Sequence, residues 1–420
     1  MKKLLFVFLF AFIVVSCARK DNSVAGNNDI KTIKIDVDGC EKDMDISDMF
    51  DTSFFRIIPL ETTPESLIGG EVSQVFYRNG RLYVVEKMAK GLFVFDDNGK
   101  FLSKIQSYGQ GPEEYIEITA VSITDDRIIV FDQFSRKVLI YDLDCNYISQ
   151  FSVNRNLPAL DIFAIEDRVY YVSKMEQVRN GHGPYRLSST NMKGGDLQKH
   201  IPFDTATVWP GYTRGNGIFN NISGDVKLMY KRTDTIYSVS NEGARAEYIV
   251  DLGDKALPEY FRTNMGEARK PENRKKYVDG FLKMFETKDK LIFHFEYGIL
   301  PKSDMKEFNE MVAKDPKKAV VWMRTEWPTI MYYAFYDKNT GETEVTNGLS
   351  IEWFGRYRTG FQYCDYPYVM FVEEIYEPYS EKQIDAMEMP NAGYRKAFKK
   401  AFLGKGEGDN PVVFVYKLVN

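Results

Sequence analysis

Three features of this 420-residue sequence predict an all-β fold with helical insertions, a ring of six four-stranded blades closed by its N- and C-terminal strands in the last blade. A strand, loop, strand, turn, strand unit repeats along the chain, each copy follows a further short strand, and one strand near the N-terminus lacks a blade of its own. Four short strands recurring roughly every 40 to 50 residues describe a six-bladed β-propeller, in which each blade buries its faces against its neighbours.

The first two copies fix the unit. Residues 81–105, RLYVVEKMAKGLFVFDDNGKFLSKI, lie without a gap on 127–151, RIIVFDQFSRKVLIYDLDCNYISQF, apolar position on apolar position. β-Branched and aromatic residues fill the short runs, and Asp97-Asn98-Gly99 supplies the positive φ angles of a hairpin turn. A third copy starts at Arg168, and a fourth runs from Asp225 to Ile249 with Gly243 at its turn. A fifth pairs 290–295 with 332–345, and a sixth pairs 366–372 with 412–418. Inner strands precede them at 71–77, 117–123, 159–165 and near Ile218, Phe281 and Phe361. Phe54–Leu60 has no blade, so it is expected to pair with 412–418 and close the ring, burying edges that would otherwise aggregate. GQGP at 109–112 then falls where the chain passes from one blade's rim to the next blade's inner strand. It lacks the GxxxxGK pattern of a phosphate loop and reads as a corner.

The N-terminus has a separate logic. Lys2-Lys3, an apolar run Leu4–Val15 and Ser16-Cys17 read as a lipoprotein signal peptide over 1–16, with Cys17 the lipidated residue. Residues 17–30 read as a lipidated flexible tether, because Ala18–Asp29 is polar and without periodicity, and 31–420 as a single propeller domain. The implied location is a bacterial cell envelope with a membrane partner through the N-terminal lipid, and Ala18 is compatible with the outer membrane. Removing 1–16 takes away two lysines and no acids, moving the formal net charge from −5 to −7. Mixed signs on a mildly acidic chain give no footprint for nucleic acid. Cys40, Cys145 and Cys364 remain, too scattered for a disulfide framework or a CxxC metal site, with one pair left open.

The lipobox, the strand pair LFVFDDNGKFLSKI and the following YGQGPEEY resemble the six-bladed β-propeller lipoproteins typical of Bacteroidetes, which are similar to NHL-repeat propellers. The resemblance implies fold and location. It implies little chemistry.

Antiparallel strands put the first-to-second and third-to-fourth links of every blade on one face, where all are short. The opposite face receives the long segments 174–186, 204–217, 251–277, 296–330, 346–360 and 374–410. Long loops on a rigid scaffold carry function more often than short ones. Tryptophans, tyrosines and arginines concentrate there, which gives Trp209, Tyr212, Arg214, Arg324, Trp327, Trp353, Arg356 and Arg358 as candidate ligand-binding residues. They fit a glycan, peptide or partner protein.

Catalytic signatures are absent from the sequence. His182, His200 and His294 have no metal-ligand spacing, no GxSxG elbow occurs, and the acid pairs Asp96-Asp97, Asp125-Asp126 and Glu373-Glu374 sit at turns or strand ends. His294 alternates with apolar residues and reads as a filler on one sheet face. The expectation is a binding or scaffold protein with no cofactor. The alternative is a calcium- or zinc-dependent propeller hydrolase or lyase with a site at the central channel.

Overall fold

The computed structural model describes residues 30–40, 44–86, 91–154, 157, 159, 161–173, 185–202, 217–222, 225–230, 233–268, 270–298, 330–347, 349–350, 362–387, 389 and 391–419. Six small antiparallel sheets form the ring. Blade one holds β4–β7 (Val72–Arg78, Arg81–Glu86, Leu92–Asp96, Phe101–Ile105) and blade two β8–β11 (Ala120–Ile123, Ile128–Asp132, Lys137–Tyr141, Tyr147–Ser152). Blade three holds β12–β15 (Asp161–Ile165, Arg168–Val172, Tyr185–Asn191, Gln198–Pro202). Blade four holds β16–β19 (Gly217–Ile222, Asp225–Tyr230, Thr235–Ser240, Gly243–Asp251). Blade five holds β20–β23 (Phe281–Glu286, Lys290–Tyr297, Ile330–Asp337, Thr343–Thr346). Blade six takes β25, β26 and β27 (Tyr363–Asp365, Tyr368–Glu373, Val412–Leu418) and is completed on its outer side by β3 (Phe50–Pro59).

Ring closure is as expected from the sequence. β27 and β3 run antiparallel in a register that sets Val413 against Ile58 and Val415 against Arg56. Asn410, 1 % exposed, locks the junction. Its amide donates to the Glu61 and Ser66 carbonyls, its Oδ1 accepts from the Ile68 amide, and its own backbone N–H donates to Thr62 Oγ1. A buried polar side chain with every group paired is a strong local specifier.

Two elements had no counterpart in the sequence reading. β1 (Lys31–Lys34) adds a fifth, parallel strand to the outer edge of blade four, and β2 (Met44–Asp45) pairs with β24 (Leu349–Ser350) after blade five. Residues 31–40 and 44–59 thus run as a belt along the rim from blade four to blade six. Ile33, Ile35 and Val37 turn inward from it and fill the seam between blades four and five. The belt escapes periodicity analysis because it is a single pass of chain, stabilised by edges that come from far away in sequence.

The core is divided among the seams, one apolar cluster between each pair of neighbouring blades. Third-to-fourth turns share one device. Asp96, Asp142, Asn191 and Asp337 each accept backbone N–H groups from residues two to four ahead. The chain then passes through positive φ at Gly99, Cys145, Gly194 and Gly341. Asp96, Asp142 and Asp337 are turn formers, as the sequence implied for Asp96, and the Asn191 amide oxygen plays the same part.

The GQGP segment is a corner. Gly109 N–H donates to the Tyr115 carbonyl, Gly111 N–H to Glu114 Oε2, and Lys137 Nζ to the Gly111 carbonyl at 2.7 Å. A Cβ at Gly109 would lie 2.0 Å from Glu114 Oε2, so a larger residue there would displace the Glu114 carboxylate from the Gly111 amide.

The short links define one face, hereafter the turn face, and the long links the other, the link face. One insertion departs from the expected decoration. In the 374–411 segment α4 (Glu381–Asp385) and α5 (Ala392–Phe402) lie against the sheet of blade six, with Phe402 5.9 Å from Phe414 and the Tyr394 and Tyr416 hydroxyls 2.8 Å apart. Their apolar stripe is spent on packing, against Phe414, Tyr416 and Phe55 of β27 and β3. The first helical insertion, α1–α3 (Glu259–Thr263, Met265–Ala268, Pro271–Arg274), stays on the link side, where Arg274 pairs with Glu296 near the end of β21.

Candidate functional site at the link-face mouth of the channel

Inner strands run from the link face to the turn face, so register alone places equivalent residues of the six blades in layers. The first-to-second turns close at Arg78/Arg81, Thr124/Arg127, Ile165/Arg168, Ile222/Asp225, Thr287/Lys290 and Asp365/Tyr368. Four residues further along the second strand come Val85, Phe131, Val172, Met229, His294 and Val372. Their inward partners across the ladder are Gln74, Ala120, Asp161, Ile218 and Lys283, with Gln362 standing in blade six through its side-chain oxygen on the Val372 amide. These six positions ring the channel near its link-face mouth.

The ring is polar on blades one, three, five and six. Asp161 accepts one hydrogen bond, from the Ile162 amide at 2.9 Å, and burial pushes its carboxyl up to about 7. Lys283 Nζ donates to the Gln362 carbonyl at 2.8 Å, and burial holds its ammonium below the ordinary lysine range. Tyr363 donates to the Val72 carbonyl at 2.8 Å, tying blade six to blade one at the same height.

From Lys283 a polar row runs outward through blade five. His294 sits opposite Lys283 and Tyr333 opposite His294. The two rings stack at 4.5 Å with 1° between their planes, and they are 8 % and 3 % exposed. Neither ring nitrogen of His294 nor the Tyr333 hydroxyl has a hydrogen-bond partner. Burial, and next the Lys283 charge, push the His294 imidazole down to about 4, so it is neutral at physiological pH. The row faces blade six among Phe285, Ile292, Phe335 and Phe371. His294 is thus buried on one sheet face, as alternation implied.

The turn-face end of the channel is tied shut by charge. Arg78, at the end of β4, forms a two-pronged pair with Asp365 of blade six, through Nε to Oδ2 at 2.9 Å and Nη2 to Oδ1 at 2.8 Å, and its Nη1 donates to the Ile123 carbonyl of blade two. One guanidinium joins three consecutive inner strands. Its rigid fork and permanent charge suit that position better than a lysine would.

Trp209, Tyr212, Arg214, Arg324, Trp327, Trp353, Arg356, Arg358 and Cys17 lie outside the described residues. The four most exposed aromatic side chains among the described residues are Tyr108, Phe134, Tyr260 and Tyr376, at 65, 56, 62 and 59 %. All four occur in links of the link face. Of the cysteines, Cys145 and Cys364 are thiols packed beside the seams, where burial raises both. Among the described residues no three His, Cys, Asp or Glu side chains converge as a metal site, and no helix is long and apolar enough to cross a membrane.

Lys283, Tyr333, Asp161 and Arg78 were not singled out by sequence reasoning. A usable signal existed for His294: aligned on the repeat, it is the one polar residue in a column of Val, Phe, Val, Met and Val.

Comparison with solved structures gives a fold likeness. A protein of Bacteroides fragilis described as exported (BF0058) matches with a TM-score of 0.62 at 14 % identity, over 93 % of this chain and all of that one. A DUF4221 member from Bacteroides vulgatus matches with a TM-score of 0.45 at 12 % identity, over 87 % and 97 % of the two chains. No curated protein matches. The family model described as a domain of unknown function, DUF4934, matches residues 30–417, nearly the whole described ring, and the chain belongs to that family.

Proposed function

We propose that this chain is a lipid-anchored extracytoplasmic binding or scaffold protein of a bacterial cell envelope, which recognises a glycan, peptide or partner protein through the link face of its propeller. The observation that carries the reading is the asymmetry of the two faces. The turn face is trimmed to side-chain-capped turns and tied at its centre by Arg78, whereas the link face carries every strongly exposed aromatic among the described residues. Exposed Tyr and Phe on rigid supports are what recognition surfaces use, since large rings gain contact area at low entropic cost. We propose that Trp209, Tyr212, Arg214, Arg324, Trp327, Trp353, Arg356 and Arg358, which fall in the long segments of the sequence, extend this surface.

The export signal and Cys17 support the envelope location, as does the likeness to a Bacteroides protein described as exported. Kinship with NHL-type propellers is part of the same proposal. A glycan and peptide array probed with the chain from residue 30 onward tests the binding reading. A ligand retained by Leu197→Ala on the turn face and lost on Tyr108→Ala/Phe134→Ala or Trp353→Ala, with unchanged thermal unfolding, is the expected outcome. Equal losses from the two faces would refute it.

A further inference from the structure

Blade five breaks the internal pattern at one layer. Second- and third-strand partners there are Val85 and Leu92, Phe131 and Val138, Val172 and Leu187, Met229 and Ile236, and Val372 and Val413 in the other blades. In blade five they are His294 and Tyr333. Five blades of the same geometry show that the fold itself requires no polar atom at this position. Both side chains are nevertheless more than nine-tenths buried with their polar atoms unpartnered, an arrangement that burial penalises unless something is bound there.

We propose that Lys283, His294 and Tyr333 form a binding site for a small carboxylate, entered from the link-face mouth of the central channel. The row offers an ammonium, a ring N–H and a phenol O–H, and none of its three members is an acid. A planar two-oxygen anion can use all three, whereas a phosphate dianion presents more acceptor oxygens than the row can serve. Lys283 Nζ donates to the Gln362 carbonyl, which fixes the ammonium at the channel end of the row. Phe285, Phe335 and Phe371 wall the seam, and a low-dielectric wall strengthens charge-assisted hydrogen bonds. Lys283 remains partly exposed on the channel-lining strand, which gives the entrance. The site is independent of any larger ligand on the link face, so either can fail without the other.

Acetate and its uncharged isostere acetamide are the probes, titrated into the full-length chain while the histidine ring resonances are followed by NMR, with His294→Gln identifying the His294 signals. The expected result is a saturable shift of the His294 resonances with acetate and none with acetamide. Acetate should also raise the unfolding midpoint of the native chain, and Lys283→Met and His294→Phe/Tyr333→Phe should each weaken the acetate response by about tenfold or more. Resonances that stay still, that move equally with acetamide, or that respond unchanged in Lys283→Met would overturn the site and leave a seam filled by water. If the double variant does not fold, Tyr333→Phe alone decides, since an undiminished acetate affinity in it contradicts the proposal.

Discussion

Blades two and five are built on the same repeat and differ in what they do with it. In blade two the layer near the link face reads Ala120, Phe131, Val138 and Phe151 across the four strands, and the link between β9 and β10 is four residues long, 133–136. In blade five the layer reads Lys283, His294, Tyr333 and Thr346, and the corresponding link spans 298–329. The two layers pair in the same way from strand to strand, except that β20 carries a bulge between Phe281 and Lys283 that β8 lacks. A repeat protein supplies its own controls: what five copies do without, the fold does not need, and the sixth copy's departure points to use.

Transplanting the row is the strongest way to break this comparison. Phe131→His/Val138→Tyr places the same polar pair in blade two without Lys283 or Gln362 beside it, and should cost about 4 kcal/mol of stability by chemical denaturation. A loss below about 1 kcal/mol would mean that any blade tolerates the row. Asn410→Leu tests closure, where blade six differs from all others in borrowing its outer strand. It removes the partners of the Ile68 amide and the Ser66 carbonyl, while the Glu61 carbonyl keeps the Ser66 hydroxyl, and should cost about 3 kcal/mol.

Acid sharpens the comparison in another way. Burial depresses His294 to about 4, and His200, which shares a hydrogen bond with Ser189 and lies near Arg168, also to about 4, from 6.5. The unfolded chain therefore takes up these protons first. The stability they contribute is present above pH 6.5 and lost as pH falls toward 4, by on the order of 2 kcal/mol for each histidine at pH 5. A stability profile flat between pH 7 and 5 would contradict neutral, buried imidazoles. The smallest effect is a gain: His294→Phe restores the apolar column and should stabilise the chain by about 1 kcal/mol while abolishing half of the acid sensitivity.

How much could be read beforehand differs by element. The strands within 81–105 and 127–151, the turns at Gly99 and Gly243 and the pairing of 54–60 with 412–418 follow from local patterns, since alternation, turn chemistry and an unpartnered strand are all properties of short segments. The belt 31–49 was not legible, because β1 is four residues whose partner lies more than 200 positions away and whose pairing is parallel. Nor were α4 and α5 legible as packing elements. Their apolar stripe looks the same whether it meets a ligand or the back of blade six.

By itself the sequence determined the number of blades, the corners and the face on which chain length accumulates, because each depends on hydrophobic period and turn residues that act within some fifty residues of one another. Only the tertiary structure decided that Arg78 joins three blades, that Asn410 locks the seam and that Lys283, His294 and Tyr333 share a row. Those relations depend on ring closure and ladder register, which bring residues distant along the chain into hydrogen-bonding range and set what surrounds them.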